Sequence, residues 1–313
     1  MHPRFTGGGL TVPQLIAAQA GLDAIGLPDA KVIIADNFEL KVKEISGLAT
    51  YSTGRGANVV AAKTIPTGDD SIIVVNGPVV RDRAPDAIER LLAHEAGHVM
   101  LNSRNEGARG RQHLAASEPD WYLMCIGSNA LDELRIERVL AGLGYPVAEA
   151  GAIDDLDNAM YYLNCEIVEA VVDPASADLE TFRDAVLRTH DWLSKNLALV
   201  AAYHEGTSGP DLAGLSDIAR ENWLDYIGGH WATRAAYYES VPDAAAPMSD
   251  SALRRVLLDG AQVEADLLRS LGFSYTAAAG GGWAFRRTGS DALFDSRVKR
   301  ALAETEARDA AAS

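Results

Sequence analysis

His94, Glu95 and His98 are the residues in this chain whose types and spacing point most directly to chemistry. The two histidines are four positions apart. On a helix that separation leaves their imidazoles about 40° apart around the axis, on one face. Two ring nitrogens so placed can share one tetrahedral metal ion. Glu95 follows His94 and is offset from that ion, where a carboxylate can take a proton from water at the metal. Zinc brings the pKa of such water down toward about 7, so hydroxide is available at neutral pH. The residues between and around the histidines (Leu92, Ala93, Ala96, Gly97, Val99, Met100) carry no charge. A helix packed inside the protein requires this, because a charge buried without a partner is costly.

The segment Leu91-Leu92-Ala93-His94-Glu95-Ala96-Gly97-His98-Val99-Met100 resembles the active-site helix of the zincin metallopeptidases, and residues from about 30 to 140 carry the resemblance. It implies zinc as cofactor, peptide-bond hydrolysis with Glu95 as the base, and a small mixed sheet ahead of the helix. It also implies an edge strand beside that helix which holds peptide by strand addition. The chain departs from the metzincins, which need a histidine where Arg104 stands. In the Glu-ligand zincins the third ligand is a glutamate, followed four residues later by an acid that orients a ligating histidine. Glu133 and Glu137 match that spacing, with glutamate in place of the usual aspartate. The resemblance thus implies Glu133 as ligand and Glu137 as the carboxylate that fixes an imidazole's tautomer and angle. Asp132 is a rival ligand, and His113, in the polar stretch 106–117, is another. The run Ser71–Asn76 resembles part of the phage- and stress-linked metallopeptidases that cleave repressors, although their later Glu, Ala-Asn pattern is missing here. The run Asp132–Glu137 resembles metallopeptidases of bacteria and phages.

The elements that must position these residues read as follows. Apolar residues at helical spacing predict a helix over 12–27, and Lys31–Ala35 predicts a strand. A turn at Gly54, Gly56 and Asn58 precedes a strand at Val59–Ala62, and one at Thr67–Asp70 precedes the strand Ser71–Asn76. The motif helix runs from Pro85, a residue suited to a first helical turn, to Leu101. Further helices are expected at 121–142, 155–172, 178–203, 214–238 and 250–270, with breaks at Asp173-Pro174, Gly206–Pro210 and Pro242–Pro247. Ala278–Gly282 reads as a loop leading to an extended segment, and the end from Glu304 reads as fraying. Asp154, Asp155 and Asp157 read as a helix N-terminus. The fold class is α+β: a zincin-like catalytic core over 1–145, then a mostly helical extension over 146–313 with a short extended segment near 274–288.

An oxyanion-stabilising donor is also needed. His230 is the foremost candidate because it follows Gly228-Gly229, ahead of His204, Tyr161, Tyr162 and Tyr203.

Composition narrows the function classes. The 313 residues carry a net charge of −16. That charge repels phosphate backbones and argues against general nucleic-acid binding. Only two cysteines are present, Cys125 and Cys165, at no metal-binding or redox spacing, so reduced thiols are expected. No secretion signal or membrane-length apolar run is visible, which makes the cytoplasm the expected compartment. The expected partner is a protein or peptide substrate. The competing expectation is a non-catalytic regulatory or binding protein on a zincin scaffold, since the helical extension exceeds what minimal catalysis requires. A metal-free helical protein is the third.

Overall fold

The computed structural model describes residues 4–55, 58–68, 70–145, 149–203 and 209–312. The chain opens with β1 (Arg4–Thr6), α1 (Val12–Ala24), β2 (Lys31–Ala35) and α2 (Phe38–Ser46). A two-stranded ribbon of β3 (Gly54–Arg55) and β4 (Asn58–Val59) follows, then β5 (Ala62–Thr67), β6 (Asp70–Asn76), the single turn α3 (Gly77–Val80) and α4 (Pro85–Ser103). Next come α5 (Glu118–Gly142), α6 (Glu149–Val172), α7 (Leu179–Tyr203), α8 (Asp217–Asn222), α9 (Gly228–Glu239) and α10 (Asp250–Ser270). A hairpin of β7 (Phe273–Ala277) and β8 (Trp283–Arg287) leads to α11 (Asp291–Ala312). The fold is α+β. No described helix is long and apolar enough to cross a membrane.

The chain divides into two compact units. One comprises Met1–Glu106, Ile136–Pro146 and Asp243–Pro247; the other comprises Gly107–Arg135, Val147–Pro242 and Met248–Ser313. The division passes within α5, which is one continuous helix.

The first unit is built on a four-stranded sheet in the order β1-β2-β6-β5. β1 and β6 run parallel to β2, whereas β5 is antiparallel to β6 and forms an edge. β6 reads as an unbroken apolar run because both its faces are covered. On one face Val32, Ile34, Ile73 and Val75 pack with Ala18 and Leu22 of α1 and with Ile88, Leu92, Ala96 and Val99 of α4. On the other, Ala35, Ile65 and Val74 pack with Phe38 and Val42 of α2. Pro85 occupies the first turn of α4, where its missing N–H costs nothing. A third side of α4 presents Ala93 and Leu101 to Ile136 and Leu140 of α5.

The second unit has its own apolar core, drawn from α5 to α10 and the β7–β8 hairpin. Inside it lies a sealed ionic cluster. Arg234 donates to both Glu264 carboxylate oxygens, at 2.8 and 3.1 Å, and the same carboxylate is bonded by His190 (2.7 Å) and Ser194 (2.5 Å). The mutual bonding is what makes such burial tolerable.

Several elements differ from the sequence reading. The single helix expected over 214–238 is α8, a π-helical turn at Trp223–Ile227 and α9. Apolar periodicity runs on through the wider turn and hides it. The strand expected at Val59–Ala62 is split between β4 and the start of β5. The end expected to fray from Glu304 is helical to Ala312, with Arg297, Ala301 and Glu304 buried. Asp154, Asp155 and Asp157 lie beyond the first turn of α6, and Asp157 accepts the Ser216 N–H at 2.6 Å. Gly56, Asp69, His204 and the expected break at Gly206–Ser208 lie outside the described residues.

Candidate metal centre

α4 is amphipathic in three directions. With one stripe on the sheet and another on Ile136 and Leu140, the histidines fall on the remaining side and are half-buried. Their rings stand edge to face, with centroids 5.0 Å apart and planes at 75°. Among the described residues, one group of side chains brings three metal-ligating atoms together: His94, His98 and Glu133, all within 4.8 Å of one another. Tetrahedral zinc with nitrogen and oxygen ligands sets its donors about 3.4 Å apart. Two neutral imidazoles and one carboxylate form a usual donor set for catalytic zinc, and the residues fit the ion.

The second carboxylate of the pair sits one turn further along α5. Glu137 is buried, and its Oε1 lies 2.8 Å from His94 Nδ1. When Nδ1–H donates there, the lone pair of His94 resides on Nε2, the nitrogen that would face a metal. Glu137 Oε2 in turn accepts from Arg90 Nη2 at 2.6 Å. Arg90, His94 and His98 follow one another at four-residue intervals along the same stripe of α4. The cation offsets the cost of burying Glu137 and holds its carboxylate facing the ring.

Glu95 is directed elsewhere. It is buried at 6% exposure, and its Oε2 accepts from the Thr64 hydroxyl of β5 at 2.7 Å. The same hydroxyl lies 3.0 Å from the Glu95 carbonyl oxygen. One hydroxyl carries one proton, and the shorter, charge-assisted bond to the carboxylate is the stronger.

The other sequence candidates lie outside this group. Asp132, half-buried on α5, is not among the gathered donors. His113 is exposed on a 3₁₀ turn at Gln112–Leu114. His230 is exposed in the first turn of α9, where it lines a surface pocket with Trp231, Arg234 and Asp266. Tyr161 and Tyr162 pack under the Arg308 guanidinium, 3.3 and 5.2 Å from their ring centroids. Tyr203 is the last residue of α7. Both cysteines are free thiols, and burial, with Asp191 nearby, pushes Cys125 up to about 11. Arg90 and Thr64 were missed by the sequence reading. The signal for Arg90 was its place four residues before His94; for Thr64 no local signal names its partner.

No family model matches this sequence, and no curated protein or solved structure is significantly similar to it.

Proposed function

We propose that this chain is a zinc metallopeptidase that hydrolyses peptide bonds of a protein or peptide substrate. The observation that carries the reading is the convergence of His94, His98 and Glu133 donor atoms, with Glu137 bonded to the nitrogen of His94 that faces away from a ligand role. Coincidental helix histidines need neither a third donor nor a carboxylate behind the ring.

In this reading His94, His98 and Glu133 hold zinc, which when bound supplies a Lewis acid for the carbonyl and makes water a nucleophile near neutral pH. Glu137 and Arg90 keep His94 in its ligating tautomer. Glu95 accepts the proton of the attacking water at its carboxylate and returns it to the leaving amine nitrogen. β5, as the sheet edge that touches Glu95 through Thr64, is the strand against which an extended peptide lies.

Glu95→Gln tests the reading. The variant keeps stoichiometric zinc by mass spectrometry and loses roughly 100-fold or more of its turnover on casein or a peptide library. Full turnover in the variant, or purified wild-type protein that takes up no zinc, overturns it. Stoichiometric zinc with no turnover on any peptide moves the assignment to a non-catalytic binding protein.

A further inference from the structure

Thr64 occupies a position on β5 that joins two surfaces. The pairing Ala62↔Val75, Thr64↔Ile73 and Pro66↔Ser71, together with the Asn76 N–H bonded to the Ala61 carbonyl at 2.8 Å, fixes which way each main-chain group points. Ala61, Lys63, Ile65 and Thr67 exchange their hydrogen bonds with β6. Ala62, Thr64 and Pro66 therefore turn their main-chain groups to the outer edge, where the sheet has no further strand among the described residues. Pro66 has no N–H to give, so a ladder along this edge loses its donor there. Thr64 is the last edge position before Pro66 with both a donor and an acceptor. Its side chain leaves at right angles to that edge, from the face covered by α4, and its hydroxyl meets Glu95 Oε2 at 2.7 Å.

We infer that Thr64 is a positioning residue for Glu95, and that an extended peptide paired to the Thr64 main chain is held in fixed register with the carboxylate that the Thr64 hydroxyl orients. The inference rests on the metallopeptidase reading for its catalytic consequence, but the hydrogen bond it depends on is independent of substrate. A carboxylate flanked by a helix backbone and a strand has several rotamers open to it. The hydroxyl selects one, and it takes one lone pair of Oε2, leaving Oε1 to receive a proton. Because the same residue supplies the edge amide, peptide register and base position are set by one rigid point and not by two.

The two roles separate experimentally, since substitution of the side chain leaves the main chain in place. Thr64→Val keeps the shape and β-branching and removes the hydroxyl; Thr64→Ser keeps the hydroxyl. In zinc-loaded protein assayed on a peptide library, T64V is expected to lose roughly 10- to 100-fold in kcat, the worth of a hydrogen bond to a charged group. Its zinc content is unchanged and its KM stays within about twofold, because the edge amide still pairs with substrate. T64S recovers most of kcat. A T64V enzyme with wild-type kcat overturns the inference, as does a T64S enzyme as impaired as T64V. Should T64V not fold, T64A is read in the same way. A crystal structure of the hydroxyl-free variant supplies the readout that needs no turnover: the Glu95 carboxylate is displaced from its wild-type position. A carboxylate that stays in place overturns the inference. A displaced carboxylate in a protein whose wild type hydrolyses nothing sustains the positioning role while the peptidase reading falls.

Discussion

At the scale of single residues, the proposed site consists of three candidate ligands and of the groups bonded behind them. Glu137 was legible only through the resemblance to the Glu-ligand zincins, in which an acid four residues after the ligand orients a histidine. Arg90 was not, since an arginine on a polar helix face reads as a solvated charge until a buried carboxylate is known to lie opposite. The structure puts Arg90 at 28% side-chain exposure against a Glu137 side chain at 3%, so the pair is not a surface ion pair of negligible worth. Removing the orienting carboxylate of a ligating histidine commonly costs about 10- to 100-fold in metal affinity. Glu137→Ala is expected to weaken zinc binding by that amount in competition with a chromophoric chelator. Arg90→Met is expected to weaken it by roughly 10-fold, because the cation acts only through Glu137. The double variant should bind zinc about as well as Glu137→Ala alone. Effects of the two changes that simply add, or unaltered affinity in the Arg90→Met protein, would show that Arg90 acts on something other than Glu137.

At the scale of elements, the legible parts were those with a strong period and clear ends. β2, β6, α4 and α10 fall within two residues of their expected bounds, α4 because Pro85 marks its start and its apolar residues recur at helical spacing. β1, with three residues, is too short to show a period, and α2 buries only Phe38 and Val42. Which strand forms the edge was not legible, because strand order depends on pairing partners far apart in sequence. Gly97 shows how a residue legible as small acquires a reason only in the fold. A Cβ there would stand 2.7 Å from Ile136 Cγ2 and 2.8 Å from Cγ1. The glycine lets α4 and the turn of α5 that precedes Glu137 approach closely. Gly97→Ala is therefore expected to destabilise the protein by about 1–3 kcal/mol in urea unfolding, despite alanine's better helix propensity. Ile136→Ala, which removes both Cγ atoms, should cost less in the Gly97→Ala chain than it does in the wild type. A Gly97→Ala protein as stable as wild type would mean that the two helices shift apart without cost.

For the whole molecule, two buried carboxyls with opposite displacements shape how stability depends on pH. Burial alone would raise Glu264, but Arg234 and the His190 hydrogen bond outweigh it and hold the group down to about 2. Its contribution is complete above the unfolded value of 4.5 and is lost as the pH falls toward 2. Glu304 on α11 behaves in the reverse sense: burial, opposed by Arg308 and reinforced by Asp157, pushes it up to about 8. One of its oxygens, Oε2, has no hydrogen-bond partner among the described residues. The Glu304 contribution is complete below 4.5 and is lost as the pH climbs through about 8, where a buried carboxylate must ionise. The net charge of −16 adds self-repulsion on the same alkaline side. Together they set the expected maximum of the thermal midpoint, measured by calorimetry in EDTA so that metal linkage does not enter, near about pH 5, with a decline toward pH 8. Salt separates the two alkaline causes. Surface repulsion is screened within about 8–10 Å at ordinary ionic strength, whereas the penalty of ionising a buried group is not. Glu304→Gln should therefore abolish the part of the alkaline decline that persists in high salt and leave the acid limb, which belongs to Glu264, unchanged. A variant that declines toward pH 8 as steeply as wild type in high salt would place the alkaline loss in some group other than Glu304.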